Sequence, residues 1–397
     1  MSPAQLPHIY FDNAATTPLD PRVVAAMQPF LGGSFGNPSS LHWAGRQARA
    51  AVDTARAQVA ELLNAQADEV VFTASGTEAD NMALIGVAEK FPADECHIVT
   101  SAIEHPAVLE SLHWLERRGV QVTCVNPNAD GIVEPASLLD ALRPTTRLVS
   151  IMAANNVIGT VQPIAELARI SRAHGALFHT DAVQAAGKIP LDVSRTPIDL
   201  LSLSGHKLYG PKGVGALYVR KGVTIEAIIR GGGQERGLRS ATENVAGIVA
   251  LGCASDLARQ EMADDASRLV QLRERLLEEI GRRIPNAYLI GHRYRRLPGH
   301  ICLGFAGQEG EAIKLLLELD ELGIAVSSGS ACSAQHGGEP SHVLMALGIE
   351  PVRARGSLRV TLGRFNTAAE VERLLEVLPI AVAGLRRISS GVPASAA

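Results

Sequence analysis

The sequence predicts an α/β fold, with a large domain built on a mostly parallel β-sheet and a smaller α+β domain. Between about residues 50 and 220, short apolar runs rich in β-forming residues alternate with segments of helical periodicity. The chain has 397 residues, more than one hydrophobic core usually serves. Strands and helices that alternate in this way form sheets covered by helices on both faces.

Seven apolar runs supply the strands of the predicted large sheet. They cover residues 70–73, 97–100, 121–125, 148–153, 176–180, 200–203 and 215–219. The helices predicted between them include residues 78–90, 107–118 and 164–174. After Thr242 a long helical stretch runs to about Arg283, and we expect it to carry the chain into the small domain. There, strand runs at 299–305 and 358–362 and helices at 311–320 and 368–388 complete the pattern.

Composition and charge argue against several classes of protein. The net charge of -4 and the scattered basic residues do not favour binding to nucleic acid or to an anionic membrane. The first residues lack the basic start and apolar run of a signal peptide, and no run reaches the roughly 18 apolar residues of a membrane span. We therefore expect a cytoplasmic protein with no membrane partner and no direct nucleic-acid partner.

The chain has five cysteines, an odd number, and none is part of a Cys-x-x-Cys pair. This pattern argues against a disulfide framework and against a structural zinc site. Cys96, Cys124 and Cys302 sit in or beside apolar runs and Cys253 in a helical stretch. We expect these four to be buried small hydrophobic residues.

Cys332 has different surroundings. It lies in SSGSACSAQHGG, residues 327–338, which contain three glycines and four serines. Such a composition predicts a mobile, solvated loop, where a buried structural cysteine does not belong. Because a reactive thiol needs access, Cys332 is the candidate nucleophile.

Polar residues directly follow five of the predicted strands. They are Ser75-Gly76-Thr77, Glu104-His105, Asn155-Asn156, His179-Thr180-Asp181 with Gln184, and Ser204-Gly205-His206-Lys207. In open α/β sheets, ligands bind outside the carboxyl ends of the strands. Any one of these groups alone is a weak signal, but together they predict a binding site at one edge of the sheet.

Three of these residues, Ser75, Gly76 and Thr77, follow a strand and open a helix. Glycine lets the backbone approach an anion, and the free N–H groups of a helix N-terminus can bind it. The segment is therefore a candidate phosphate cradle. An ordinary strand-to-helix turn with a threonine cap is the alternative.

Lys207 and Asp181 each come at the end of a predicted strand. A lysine that is partly desolvated there is suited to forming a Schiff base, although most lysines are solvated surface residues. A carboxylate such as Asp181 can pair with a protonated pyridine nitrogen. A strand-end lysine and a strand-end aspartate are what a site for pyridoxal phosphate (PLP) needs.

Several longer stretches resemble a known family. They are YFDNAATT (10–17), FGNPSSLH (35–42), FHTDAVQAAG (178–187), SLSGHKLYGPKG (202–213) and RGGGQERGLRSATEN (230–244). Together they resemble the class V aminotransferases, and more narrowly the cysteine desulfurases that supply sulfur for nitrogenase and for general iron–sulfur cluster assembly. The resemblance runs from about Ile9 to Ser389.

The resemblance implies a PLP-dependent transferase of fold type I that acts as a homodimer. It implies a large PLP-binding domain over residues 15–262. It also implies a small domain made of residues 1–14 plus 263–397, which carries the cysteine loop. The expected reaction converts L-cysteine to L-alanine and leaves the sulfur as a persulfide on Cys332.

The resemblance also implies roles for single residues around PLP. Lys207 would bond covalently to PLP, Asp181 would pair with its ring nitrogen, and Gln184 would hydrogen-bond its ring hydroxyl. Thr77, Ser204 and His206 would hold the phosphate with the backbone of Gly76, and Thr242 would reach it from the other subunit. The resemblance implies these roles, and the spacing of the residues does not show them.

On the substrate side, the resemblance implies that His105 stacks on the ring and moves protons, although a buried structural histidine is the alternative. Asn156 and Arg359 would bind the carboxylate of cysteine, with Asn156 also beside PLP. Cys332 would pass its sulfur to an iron–sulfur scaffold or a sulfur-carrier protein, and it could transiently ligate a nascent iron–sulfur cluster.

Two positions depart from the family pattern, and two other functions stay open. The family motif Asn-Asn-Glu here ends in Val157, and the segment after Cys332 is about one residue longer than expected. A selenocysteine lyase or another class V lyase or aminotransferase is one alternative, and Cys332 discriminates because transamination needs no thiol. A non-catalytic scaffold is the other, and the presence of Lys207, Asp181 and Cys332 argues against it.

Overall fold

The computed structural model describes residues 8–307, 309–329 and 340–389, with side chains described up to residue 385 in the last helix. The strands are β1 (Ile9–Tyr10), β2 (Val70–Thr73), β3 (His97–Ser101), β4 (Gln121–Val125), β5 (Thr146–Ser150), β6 (Leu177–Asp181), β7 (Leu200–Ser204), β8 (Gly215–Val219), β9 (Ala287–Leu289), β10 (His300–Phe305), β11 (Ile324–Ala325), β12 (Ser327–Ser328) and β13 (Leu358–Thr361). The helices are α1 (Pro21–Met27), α2 (Trp43–Leu63), α3 (Gly76–Ala88), α4 (Pro106–Glu116), α5 (Pro135–Ala141), α6 (Ile164–His174), α7 (Val245–Arg283), α8 (Ala312–Glu321), α9 (His342–Ala346), α10 (Pro351–Arg355) and α11 (Ala368–Ser389).

The largest sheet has seven strands in the order β2-β8-β7-β6-β5-β3-β4. The pairs from β7 across to β4 are parallel, and β8 runs antiparallel to both of its neighbours. The predicted α/β class with a mostly parallel sheet is therefore confirmed.

Helices cover both faces of this sheet, which explains why its strands are continuous apolar runs. Ile98 and Leu148 pack in the cluster that contains α3 and α4. Their chain neighbours Val99 and Val149 pack in the opposite cluster, with α2, α6 and the start of α7. Alternate residues of a strand point to opposite faces, so β3 is buried throughout and β5 is buried at every position except Arg147.

A second sheet has the order β12-β13-β10-β9, and its paired strands are all antiparallel. Apolar residues from α8, α11 and the second half of α7 pack with it in one cluster. The N-terminal strand β1 pairs in parallel with β11, Ile9 opposite Ile324. The first part of the chain thus lies beside its last third.

The long helix α7 connects the two sheets. Its early residues, including Leu251 and Ala258, pack in a cluster of the large sheet. Its later residues, including Leu269 and Leu276, pack in the cluster of the small sheet. A further cluster joins Ile103, Met152 and Val157, near the carboxyl edge of the large sheet, to Cys302, Val343 and Leu344. These contacts fix the two sheets around the edge where the site lies.

Within the part of the chain that the structure describes, no helix combines the length and the apolar character that crossing a membrane requires.

Candidate active site

A cavity of about 350 Å³ lies at the carboxyl edge of the large sheet. It is lined by Ala14, Ala15, Ser75, Gly76, Thr77, Asp80, His105, Met152, Asn156, Asp181, Val183, Gln184, Ser204, His206, Lys207 and Arg359. Of the residues to which the resemblance gave a role, all but Thr242 and Cys332 are in this set. Of the strand-end groups, Glu104, Asn155, His179, Thr180 and Gly205 do not line the cavity. The volume is in the range of small-molecule sites, roughly 300–1,000 Å³.

One end of the cavity is the N-terminus of α3. Ser75 caps the helix, because its Oγ accepts a hydrogen bond from Glu78 N at 3.1 Å. A Cβ atom on Gly76 would lie 2.6 Å from Cγ2 of Val183, so no larger residue fits there. The first N–H groups of a helix have no partner within the helix. This end of the cavity can therefore bind an anion, and the cap is a serine, not Thr77.

Lys207 is the last residue of a single 3-10 turn that directly follows β7. Its Nζ donates hydrogen bonds to the carbonyl oxygens of Ala14 at 2.5 Å and Ala15 at 2.7 Å. The N-terminal segment is fixed to the same turn, since Thr17 N donates to His206 O at 3.0 Å. The amine is thus held against two carbonyls at the rim of the cavity.

His206 precedes Lys207 in this turn, and its Nδ1 lies 3.1 Å from Thr16 Oγ1. Burial lowers the pKa of His206 to about 4, and the positive charges of Lys207, Lys212 and Lys188 add to the effect. Near neutral pH the ring is uncharged, so it can act at the cavity as a neutral hydrogen-bonding group.

Two buried carboxyl groups line the cavity, Asp181 at the end of β6 and Asp80 on α3. Asp181 Oδ1 accepts a hydrogen bond from Val183 N at 2.9 Å. Burial raises the pKa of Asp181, opposed by the positive charges of His105 and Lys207. Burial and then the negative charge of Asp181 raise the pKa of Asp80 well above its usual range. Two carboxyl groups this close favour one neutral and one charged partner.

Gln184 lies in the turn after β6, with its side chain held at both ends. Its Nε2 donates to Ala14 O at 2.9 Å, and its Oε1 accepts from Lys188 Nζ at 3.2 Å. The carbonyl oxygen of Ala14 therefore receives hydrogen bonds from both Gln184 and Lys207.

His105 is the N-cap of α4, directly after the loop that follows β3. Its Nδ1 accepts a hydrogen bond from Ala107 N at 3.1 Å, so the neutral ring carries its proton on Nε2. Burial lowers the pKa of His105, the negative charge of Asp181 opposes this, and Lys207 and His342 lower it further. The ring is thus oriented by the start of the helix.

Arg359 reaches the cavity from β13 of the small sheet. Its Nη2 forms an ion pair with Asp12 Oδ1 at 2.8 Å, and its Nη1 donates to Asn156 O at 3.0 Å. The Nε atom is buried without a hydrogen-bond partner among the described residues. The guanidinium group is therefore desolvated and has a donor available to a bound anion.

One residue from the sequence analysis does not line this cavity, and a second is not among the residues that the structure describes. Thr242 is exposed and is not among the lining residues. Cys332 lies outside the described residues, as does most of its loop. Among the residues described, no group of three or more His, Cys, Asp or Glu side chains could hold a metal ion.

The other four cysteines are only partly as expected. Cys96 and Cys302 are buried, Cys253 is half-buried, and Cys124 is exposed. The expectation of burial was wrong for Cys124, because β4 is an edge strand of the large sheet. Burial raises the pKa of Cys96 to about 11 and of Cys302 to about 12, and it also raises that of Cys253.

Val157, which departs from the family motif, is buried in an apolar cluster with Ile103 and Ile158. Its carbonyl oxygen lies 2.9 Å from His300 Nε2. A carboxylate at this position would be surrounded by apolar groups, so valine suits the site that this chain forms.

Sequence reasoning missed three residues: Asp80, Asp12 and Lys188. Asp12 pairs with Arg359, and Lys188 donates to Gln184. Asp80 is three residues after Thr77 on the same helix, and this spacing could have placed it beside the cavity. Asp12 and Ala14 lie in the YFDNAATT stretch, which was noticed only as a resemblance.

The chain matches the family described as Aminotransferase class-V over residues 9–374. It is 49% identical over 381 residues to the cysteine desulfurase IscS of Dictyoglomus turgidum, with 96% of each chain covered. It is 48% identical over 383 residues to the cysteine desulfurase of Gluconacetobacter diazotrophicus, covering 96% of this chain and 95% of that one.

Two solved structures are similar to this chain throughout. A NifS-like protein has a TM-score of 0.89 at 38% identity and is covered in full, against 95% of this chain. SspA in complex with cysteine has a TM-score of 0.80 at 36% identity, with 90% of this chain and 100% of SspA covered.

Proposed function

This chain belongs to the class V aminotransferase family, and from that premise we propose that it is a cysteine desulfurase whose acceptor thiol is Cys332. It converts L-cysteine to L-alanine and keeps the sulfur as a persulfide for iron–sulfur cluster assembly. Relatives at 46–49% identity over nearly the whole chain are named cysteine desulfurases, which supports this activity.

The observation that carries the proposal is the cavity that Lys207, Asp181, His105 and Arg359 line together. It combines an amine, a buried carboxyl group, an oriented imidazole and a desolvated guanidinium group at one edge of the sheet. Each group suits one need of amino-acid chemistry on PLP.

The groups that line the cavity fit PLP. The N-terminus of α3 with Gly76 and Thr77, together with Ser204 and His206, can hold a phosphate. Asp181 can pair with the ring nitrogen and Gln184 can donate to the ring hydroxyl. Lys207 can bond to the aldehyde. When bound, PLP supplies an electron sink that stabilises negative charge at the substrate Cα.

Arg359 and Asn156 bind the carboxylate of L-cysteine. The buried Nε of Arg359 provides a charged donor, and Asp12 and the Asn156 carbonyl hold the guanidinium group in place. A charge-assisted hydrogen bond in this desolvated setting is stronger than one in water.

Lys207 and His105 move protons. Once substrate occupies the site, the Lys207 amine removes the Cα proton. His105, with Nδ1 engaged by the Ala107 N–H, exchanges protons through Nε2. Because burial lowers the pKa of His105, the resting ring is neutral near pH 7 and its Nε2–H can donate a hydrogen bond to the reacting groups; the ring acts as an acid only after it has taken up a proton.

The Cys332 thiolate attacks the substrate sulfur. A sulfur–sulfur bond forms as the bond between substrate Cβ and sulfur breaks, and Cβ then takes up a proton. L-Cysteine and the Cys332 thiol thereby become L-alanine and a Cys332 persulfide, with no outside oxidant. Burial raises the pKa values of Cys96, Cys253 and Cys302 and makes them poor thiolates, which supports Cys332 as the acceptor.

The enzyme works as a homodimer in which Thr242 completes the phosphate site of the partner subunit. Thr242 is exposed and remote from its own chain's cavity lining, which supports this role. Phe35, Leu41 and Trp43 are also exposed, and neighbouring exposed apolar residues mark interaction surfaces. The persulfide passes to an iron–sulfur scaffold or sulfur-carrier protein. We place the enzyme in the cytoplasm, where thiols stay reduced.

Incubation with L-cysteine tests the activity, with alanine and sulfide measured together. We expect Cys332→Ala to lose alanine formation and still bind PLP, because PLP binding depends on Lys207 and the cavity. The matched control is Cys124→Ala, which removes the exposed cysteine of β4 and should keep full activity. After a single turnover, peptide mass should locate the extra sulfur on the Cys332 peptide. Full alanine production by Cys332→Ala would show a lyase that needs no protein thiol.

A further inference from the structure

The turn after β6 carries Gln184 and Lys188 on one side. Ala186 N donates to Ala182 O at 2.8 Å and Ile189 N to Ala185 O at 3.1 Å, so residues 182–189 turn as a helix does. Side chains four residues apart in such a turn are neighbours.

Gly187 fixes this turn. Its φ is +68°, and a Cβ atom there would lie 2.4 Å from Leu208 Cδ2. A side chain would be both strained and in collision, so the position needs glycine. The placement of Lys188 beside Gln184 is therefore built into the backbone.

The two hydrogen bonds of Gln184 define how its amide is oriented. Lys188 Nζ donates to Oε1 at 3.2 Å, and Nε2 donates to Ala14 O at 2.9 Å. Lys188 Nζ donates to Oε1, and the Ala14 carbonyl oxygen can only accept, so both contacts favour the same assignment of the amide. Nε2 carries two hydrogens and Ala14 takes one. The other has no partner among the hydrogen bonds of the described residues, and Gln184 lines the site cavity as well as a smaller cavity beside it.

Lys188 has no part in the steps above, yet it is held in costly surroundings. It lines a smaller cavity of about 40 Å³ on the other side of Gln184, together with Asp265 and His300. Burial lowers the pKa of Lys188 to about 7, and the positive charges of Lys207 and Arg359 lower it further. A lysine kept in such a place at the expense of its charge has a reason other than solubility.

We propose that Lys188 is a positioning residue, which holds the Gln184 amide so that an N–H, and not the carbonyl oxygen, faces PLP. The proposal rests on the function proposed above. The N–H stabilises the ring oxygen of PLP in its anionic form. A reversed amide would set its own oxygen against that anion and destabilise it.

The test is Lys188→Met, which keeps length and apolar bulk and removes the donor. The visible absorption of bound PLP changes with pH as its chromophore loses a proton. We expect the midpoint of this change to rise by on the order of one pH unit, because an anion loses a hydrogen-bond donor. PLP should also dissociate about tenfold more readily in equilibrium dialysis. Lys188→Gln keeps an N–H donor without the charge, and it should stay near the wild-type midpoint.

A double-mutant cycle separates positioning from charge. In a Gln184→Met background, Lys188→Met should produce little further shift, since no amide is left to hold. An equal shift in both backgrounds, or equal shifts for Lys188→Met and Lys188→Gln, would overturn the proposal and leave only an effect of charge. Circular dichroism confirms folding of each variant. A wild-type protein without PLP absorption would instead overturn the proposed function itself.

Discussion

At the scale of single residues, Arg359, which we propose binds the substrate carboxylate, is already held in a fixed orientation by its own chain. Asp12 and the Asn156 carbonyl engage both terminal nitrogens of its guanidinium group. A lysine has one nitrogen and cannot reproduce this arrangement. The ion pair with Asp12 therefore orients the group as well as compensating its burial.

Replacing Arg359 by Ala should chiefly weaken L-cysteine binding. Loss of hydrogen bonds to a charged group costs about 1.5–3 kcal/mol, which corresponds to a KM raised roughly 10- to 100-fold. Steady-state kinetics would measure it, and the absorption of bound PLP should not change. Arg359→Lys should recover little of the loss, whereas Arg353→Lys, on the exposed part of α10, should behave as wild type. An unchanged KM for Arg359→Ala would remove this residue from the substrate site.

The residues that sequence alone could predict are those that follow strands. Lys207, Asp181 and His105 stand at strand ends, where the rule for open sheets places ligands. Asp12 and Lys188 escaped prediction because their meaning depends on tertiary partners, Arg359 and Gln184. No local pattern reports that Asp12 will meet a residue 347 positions away.

At the scale of elements, the loop between β3 and α4 contains a buried acid directly before His105. Glu104 Oε1 accepts hydrogen bonds from Ser101 Oγ at 2.5 Å and Met152 N at 2.9 Å. Its Oε2 is buried without a partner among the described residues. Burial raises the pKa of Glu104 to about 8, so the carboxyl group is protonated at neutral pH.

This raised pKa predicts how stability depends on pH. The unfolded carboxyl group ionises near pH 4.5 and the folded one near pH 8, so the stability that Glu104 contributes is full below pH 4.5 and is lost as the pH rises to 8. Glu104→Gln stays neutral and should be more stable than wild type at pH 8 by about 2–4 kcal/mol, with little difference at pH 5. Urea denaturation of the protein without PLP at both pH values measures this.

The control for that experiment is Glu116→Gln at the exposed end of α4. It should change stability by the same small amount at both pH values. If Glu104→Gln did the same, Glu104 would be ionised in the folded protein at neutral pH.

Most strands of the large sheet were predictable because each is buried on both faces and reads as an apolar run. The run 148–153 was placed too late, since β5 is Thr146–Ser150. The residues after β5 are also buried beside β6, and the backbone N–H of Ile151 donates a hydrogen bond to His179 O. The apolar run therefore continues beyond the end of the strand. The helix α2 was not predicted, because its buried stripe is largely alanine and contrasts weakly with its other face.

At the scale of the whole molecule, we propose the division that the sequence suggested, residues 15–262 against residues 1–14 plus 263–397. The change of partners along α7 supports a boundary between Ala258 and Leu269. The pairing of β1 with β11 supports the assignment of the N-terminal segment to the smaller unit. Sequence could not supply that pairing, because two-residue strands have no periodicity.

Mixed dimers test whether subunits share a site. Lys207→Ala inactivates its own site, and Thr242→Val should weaken PLP binding at the site of its partner. After equal amounts are unfolded and refolded together, each mixed dimer should hold one intact site, so about a quarter of all sites should form alanine at limiting PLP. Mixing without refolding is the control. Activity no greater than the sum of the two variants would show that Thr242 serves its own chain or none.

The ion pair between Asp12 and Arg359 limits when the site can form during translation. The two residues are 347 positions apart, so Asp12 is synthesised long before its partner Arg359. At about 5–20 residues per second, this interval lasts on the order of 20–70 seconds. During that time the strands of the large sheet can emerge and pack, but Arg359 is still missing. A nascent chain can thus acquire its scaffold early, whereas the ion pair at the proposed carboxylate site can form only after a further 347 residues have been added.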